Sequence, residues 1–190
     1  MEVFVTQETG WTEALFGLGL SFGITSGMTM TEFTEDSEKY TKLFTVARKL
    51  AHRQGGHNKF LESISVWLDI NAPLFWWSEF DTYRVGTTKQ SESTMHTLGK
   101  YGLTQKHFEF PISEDWLKRL NEAIKGGVKL LELKNQLPTG FLQRRIVATN
   151  LKVLQNVLMQ RLDHKLPQWQ VFHKAVSNGV KYSEFLDPKA

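Results

Sequence analysis

Asn150-Leu151-Lys152-Val153-Leu154-Gln155-Asn156-Val157-Leu158-Met159-Gln160-Arg161, followed by Gln168-Trp169, is the stretch whose reading decides the fold. Asn150, Leu154, Val157 and Arg161 fall at i, i+4, i+7 and i+11, one stripe of a helix with 3.6 residues per turn. The stripe is apolar in the middle and polar at both ends, and at 1.5 Å per residue those ends stand about 16 Å apart. Lys152, Asn156 and Met159 share the opposite side. Polar groups on both faces predict a helix buried between partners, and the helical composition extends it from Phe141 to Leu162. Pro167 stands where it opens a last helix through Gln168, Trp169 and Phe172.

Working outward, Ile64, Val66, Leu68 and Ile70 alternate with Ser63, Ser65, Trp67 and Asp69, the period-2 pattern of a strand with one face in the core. Asn71-Ala72-Pro73 ends that strand and starts a helix from Leu74 to about Tyr83. Gly86 loosens the chain, and Thr87 to Thr97, rich in Ser, Thr, Gln and Lys, reads as a polar loop. Ser113-Glu114-Asp115 opens a helix to about Leu133 with acids at its positive end, and Pro138 and Gly140 interrupt before the next element. Nearer the start, Val3 to Val5 reads as a short strand, Thr12 to Leu20 as a helix capped by Thr12, Gly23 to Gly27 as a loop, and Thr34 to about His52 as a helix. The mixture predicts an α/β (α+β) fold with a central sheet flanked by long helices. No repeat, low-complexity tract or Pro/Ser-rich linker divides residues 1–190, so one domain is expected.

Composition narrows the chemistry. With 41% hydrophobic residues the chain is globular, and 190 residues bury a core without disulfide or metal staples. The longest apolar run, Ala72-Pro73-Leu74-Phe75-Trp76-Trp77, is far short of a membrane span, and Met1-Glu2-Val3-Phe4 does not read as a secretory start. The expectation is a protein neither secreted nor membrane-spanning. The absence of cysteine excludes thiolate nucleophiles and thiolate metal sites and fits a cytoplasmic location. His164 and His173 have no third ligand at suitable spacing, so no metal is assigned. Lys and Arg number 23 against 20 Asp and Glu, a net charge of +3. That is a modest excess with no DNA or RNA motif beside it, which disfavours a nucleic-acid partner and suits a small anionic ligand.

The run from Asn150 to Arg161 with Gln168-Trp169 resembles the C-terminal signature of the flavin-dependent thymidylate synthases: Asn, Arg two on, Leu four on, Asn six on, Arg eleven on, then Gln-Trp. Four of the first five positions are identical, with Lys152 in place of the first arginine. Leu137-Pro138 stands thirteen residues before Asn150, as the Leu-Pro of that family does. His57 and Glu62 are similar to its His-x-x-x-Phe-Glu-His motif, with Leu61 for Phe and Ser63 for the second His. Ala72-Pro73-Leu74-Phe75 follows at the family's interval, and Ala14 to Phe22 looks like its first helix. The departures are equally specific. The hallmark Arg-His-Arg falls on Thr82, Tyr83 and Arg84, its following serine on Glu92 with Ser91 and Ser93 on either side, and the next arginine on Thr94. A further arginine, three before the Leu-Pro, is Lys134.

The resemblance implies a homotetramer with sites between subunits, FAD as cofactor, and NADPH and methylenetetrahydrofolate as cosubstrates in methylating dUMP or reductively modifying a related pyrimidine nucleotide. By residue, it implies His57, Arg84, Asn150, Lys152 and Asn156 around the flavin, Ser91, Ser93 and Lys134 on the nucleotide phosphate, and Arg161 on the pyrimidine as catalytic residue. A binding protein on the same fold, without turnover, is the second reading. Taken alone, the same residues have plainer explanations: Arg161 offsets a helix dipole, Asn150 and Asn156 are surface amides, Arg84 pairs with Asp81 or Glu79, and Trp76-Trp77 is core packing.

Overall fold

In the computed structural model, described over residues 1–186 apart from 54, 99 and 101, the alternating run becomes strand β2 (Ser65–Pro73). Val66, Leu68, Ile70 and Ala72 are wholly buried along one face. Its partners are β1 (Glu2–Thr9) and β4 (Leu142–Asn150), and β4 also carries the short β3 (Thr88–Ser91). All pairings are antiparallel, giving the order β1-β2-β4-β3.

The expected helix from Phe141 to Leu162 is corrected: its first half is β4, and only α7 (Leu151–Gln160) is helical. The physical reason is local. Gln143, Arg145, Val147 and Thr149 alternate with Arg144, Ile146 and Ala148, and the β-branched Ile146, Val147 and Thr149 favour an extended backbone. β2 supplies a nine-pair ladder from Ser65 opposite Asn150 to Pro73 opposite Leu142, so tertiary pairing completes what the side chains begin. The stripe survives on α7 with its ends reassigned. Asn150 is the N-cap and Arg161 the C-cap, and Leu154 and Val157 between them are buried. The opposite side is not enclosed within the chain, since Met159 is exposed.

The remaining helices are α1 (Trp11–Ser21), α2 (Glu38–Leu50), α3 (Leu74–Phe80), α4 (Thr94–Thr97), α5 (Glu114–Lys125), α6 (Leu130–Asn135) and α8 (Gln168–Gly179). Thr12 does not cap α1. That place belongs to Gly10, whose φ of 101° and approach to the Ser63 carbonyl, 2.6 Å from where a Cβ would stand, admit only glycine. Gly126-Gly127 splits the helix expected to reach Leu133 into α5 and α6, Gly127 taking a φ of 68°. The polar loop at Thr87 to Thr97 contains β3 and α4, because β4 offers Thr88 to Ser91 a pairing edge.

Helices α1, α2, α3, α7 and α8 join one core with the buried face of the sheet, including Trp76, Trp77, Trp169 and Phe172. The tryptophan pair is therefore core packing, with Trp77 Nε1 donating to the Gln143 carbonyl at 2.8 Å. A smaller core joins α5 and α6 through Leu120 and Leu133 to Phe108 and Phe141. The other face of the sheet stays open: Phe4 is 59% exposed and Trp67 37%. On that face Arg144 forks onto Asp69, and its hydrogen bonds hold the Asp69 carboxyl below the ordinary carboxylate value.

Ile70 is wholly buried at the centre of the ladder, and Ile70→Ala is expected to lower stability by about 2–5 kcal/mol, read from urea unfolding.

Candidate functional site

At the Asn150 end of the ladder, strand and helix meet without a loop. The Asn150 side chain accepts from the Val153 amide at 2.9 Å and starts α7. Lys152 and Asn156, one turn apart, then share a side of the helix. The facing wall is the turn after α3, residues 82–86. Gly86 brings the two walls close: its φ is 66°, and a Cβ there would stand 2.9 Å from Val153 and 3.1 Å from the Asn150 amide nitrogen. Thr149 Oγ1 ties this turn to β4 by donating to the Gly86 carbonyl at 3.1 Å. Between the walls runs a groove of about 440 Å³ lined by Arg84, Asn150, Lys152 and Asn156, with Glu62, Tyr83 and Gln160 at its margins. Four of the five residues that the resemblance would place around a flavin therefore line one groove.

The fifth, His57, lines a neighbouring cavity of about 550 Å³ between α1 and residues 56–63, with Glu13, Lys59, Phe22 and Leu50. Glu62 lines both spaces, so groove and cavity adjoin there. Glu62, five residues after His57 in the same motif, stands at that junction, a place that no sequence pattern announces.

Arg161, at the other end of α7, is held on several sides. Its Nε donates to the Tyr83 hydroxyl at 2.9 Å and its Nη1 to Glu79 Oε2 at 3.2 Å, and the guanidinium lies 4.8 Å from the Trp169 ring centre. Glu79 Oε2 also accepts from Trp169 Nε1 at 2.9 Å and lies 3.4 Å from His164 Nε2. The Leu166 amide donates to His164 Nδ1 at 3.2 Å, which leaves the ring proton on Nε2, facing Glu79. Tyr83 passes the network to the groove by donating to Gln160 Oε1 at 3.1 Å. The helix-dipole reading of Arg161 also stands, since the residue caps the C-terminus of α7.

Sequence reasoning missed Glu79 and Tyr83 as partners of Arg161, because contacts between separate elements leave no regular spacing along the chain. The expected pairing of Arg84 with Asp81 or Glu79 is replaced. Asp81 instead takes Lys89 at 2.9 Å and Arg145 at 3.0 Å, cations from β3 and β4 that the ladder places beside it.

The three residues assigned to the phosphate lie elsewhere in the chain. Ser91 ends β3 in a shallow cleft on the open sheet face with Gln90, Glu92 and Arg144. Ser93 precedes α4 as its N-cap residue. Lys134 is exposed near the end of α6. None of them lines the groove or the His57 cavity.

No protein-family model matches the sequence, and neither does any curated protein. Solved structures do match. A flavin-dependent thymidylate synthase from Helicobacter pylori, complexed with FAD and dUMP, superposes with a TM-score of 0.79 at 17% identity, over 99% of each chain. A second structure of the Helicobacter pylori enzyme with FAD and dUMP gives 0.78 at 18% identity, over 98% of this chain and 97% of that one. A UMP/dUMP methylase from Streptomyces cacaoi, bound with 5-Br dUMP, gives 0.65 at 13% identity, over 93% and 88%. The chain has the fold of the flavin-dependent thymidylate synthases along nearly its whole length, as the sequence motifs led one to expect.

Gly86→Ala is expected to cost about 1–2 kcal/mol of stability, because an alanine strains the positive φ and meets Val153. Thermal unfolding of the variant beside the native protein checks it.

Proposed function

We propose that this chain is a divergent flavin-dependent thymidylate synthase-like protein that binds FAD and a pyrimidine nucleotide and methylates or reductively modifies dUMP or a close relative. The observation that carries this reading is the convergence of Arg84 with Asn150, Lys152 and Asn156 on one groove, although more than sixty residues separate them in sequence. The donor set suits a flavin nucleotide. Two cations match a pyrophosphate, side-chain amides match the mixed donor and acceptor edge of the ring, and the adjoining His57 cavity supplies the length that a dinucleotide needs. When bound, the flavin supplies a hydride for the pyrimidine, with NADPH as reductant and methylenetetrahydrofolate as one-carbon donor.

The chain's own residues supply position and charge. Arg84 and Lys152 hold the anionic part of the cofactor, and Asn150 and Asn156 orient its polar edge. Arg161 aims N–H donors at the charge that develops on the base, a role that works best when the donor is already fixed in place, as Glu79, Tyr83 and Trp169 fix this one. Ser91, Ser93 and Lys134 lie apart from the groove of their own chain, so a nucleotide held by both sets takes them from different copies. This supports a homotetramer with shared sites, and the open sheet face with Phe4 and Trp67 offers an apolar surface for assembly. Among the described residues no helix is long and apolar enough to cross a membrane. With the absence of cysteine, this supports a cytoplasmic setting.

A second reading, a flavin- or nucleotide-binding protein without turnover, draws on two observations. Thr82 and Tyr83 stand where the resembled motif has Arg-His, and the charge of Arg161 is already met by Glu79. In the enzymatic reading, purified protein mixed with FAD is expected to show a bound-flavin absorption spectrum that shifts on adding dUMP. A protein that leaves the FAD spectrum unchanged would sink that reading and favour the second, which calorimetric titration with dUMP then tests. For the enzymatic reading, Arg161→Ala is expected to reduce turnover of dUMP by at least about a hundredfold, the scale of one lost preorganised donor, while the far-UV circular dichroism stays native. Full activity in the variant would remove Arg161 from the chemistry.

A further inference from the structure

We propose that Gln155 is a positioning residue for the groove: it fixes the ammonium group of Lys152, and so sets how that cation meets an anionic ligand. The proposal rests on the flavin reading of the groove. Gln155 is 2% exposed, on the side of α7 that packs into the core beside Leu151, Leu154 and Leu158. Packing alone would be served there by an apolar residue of the same length, so the amide calls for another account.

Its surroundings determine which way the amide points. Nε2 donates to the Phe185 carbonyl at 2.8 Å and the Ala51 carbonyl at 3.0 Å, and stands 3.2 Å from His52 Nδ1. The two carbonyls only accept. The His52 ring does the same through Nδ1, because its Nε2 donates to the Glu184 carbonyl at 2.9 Å. The nitrogen is thereby committed to this side, and Oε1 must face the other way.

There Oε1 meets two donors, Lys152 Nζ and Asn58 Nδ2, each at 3.4 Å. Asn58, itself buried, also donates to the Ala51 carbonyl at 2.9 Å and directly follows His57. One oxygen that cannot rotate away thus links the groove cation to the segment that carries the cavity histidine. A lysine has a long flexible stem, and a fixed acceptor at its tip removes rotamers that a ligand would otherwise have to freeze.

The test is a double-mutant cycle on FAD affinity, using the native protein, Gln155→Met, Lys152→Met and the double variant. Gln155→Met is expected to weaken FAD about tenfold, the scale of the rotamer entropy of one lysine side chain, and by less than about threefold once Lys152 is methionine. An equal factor in both backgrounds, or no effect in the first, overturns the proposal. Gln155→Asn, which keeps a buried amide and withdraws its oxygen by one methylene, replaces Gln155→Met if that variant does not fold. Failure of the native protein to bind FAD would overturn the flavin reading instead. The positioning role is then decided on the ligand-free protein, by NMR of Lys152 with ¹³C-labelled side chains. Gln155→Asn is expected to make that side chain as mobile as the exposed Lys118, and an unchanged Lys152 signal overturns the role.

Discussion

The nine-pair ladder between β2 and β4 is the constraint on which the rest of the structure depends. Each strand runs straight into a helix, β2 into α3 at Leu74 and β4 into α7 at Leu151. Because the strands are antiparallel, those helices start at opposite ends of the ladder. The register therefore decides what meets at each end. With Ser65 opposite Asn150, the segment holding His57 and Glu62 arrives beside the start of α7. With Thr88 opposite Ala148, the turn holding Arg84 and Gly86 arrives on the other side. A slip of one residue would turn Val66, Leu68 and Ile70 toward the open face and separate the groove's two walls.

This explains why parts of the fold were legible in the sequence and others were not. β2 announced itself because only one of its faces is buried, so its aliphatic residues alternate from Ile64 to Ile70, with Trp67 the one large apolar residue on the other face. β4 alternates less cleanly. Arg145 sits on its core side, its guanidinium over Trp77 and bonded to Asp81, and Ile146 lies on the open side. A basic residue inward and an aliphatic one outward blur the period, and helical composition on the α7 side draws the eye across the boundary. The groove was legible for a different reason. Asn150, Lys152 and Asn156 are fixed relative to each other by local helix geometry, so a spacing pattern contains their arrangement. The partners of Arg161 come from α3, the turn after it and α8, and contacts between elements leave no regular period along the chain.

Among the described residues, the cations of β3, β4 and the end of α7 are paired with acids, and the two in the groove are not. Asp69 takes Arg144, Asp81 takes Lys89 and Arg145, and Glu79 takes Arg161. Arg84 and Lys152 enter none of the ion pairs among the described residues. Lys152 is met by a neutral amide oxygen, which orients the cation without neutralising it. Glu62 at the junction with the cavity is the one acid in the groove lining. The α7 N-terminus adds its partial positive charge to the same place. A net charge of only +3 over the chain is thus compatible with a locally cationic groove.

The two chemical ends of α7 are one rigid unit. A helix of ten residues is about 15 Å long, so the Asn150 end and the Arg161 end keep a fixed separation as long as the helix holds. What holds it is burial of Leu151, Leu154, Val157 and Leu158 against the core, together with the capping bond from Asn150. The groove is therefore set relative to Arg161 by core packing, not by a flexible loop. Tyr83 reinforces the link, bonded to Arg161 and to Gln160 while its neighbour Arg84 lines the groove. Substitutions in the resembled motif at Thr82 and Tyr83 accordingly change which groups are offered at the groove without freeing its frame. A scaffold that fixes its groove side chains through the core leaves the fold independent of which groups the groove offers, and the fold is shared with a structure only 17% identical in sequence.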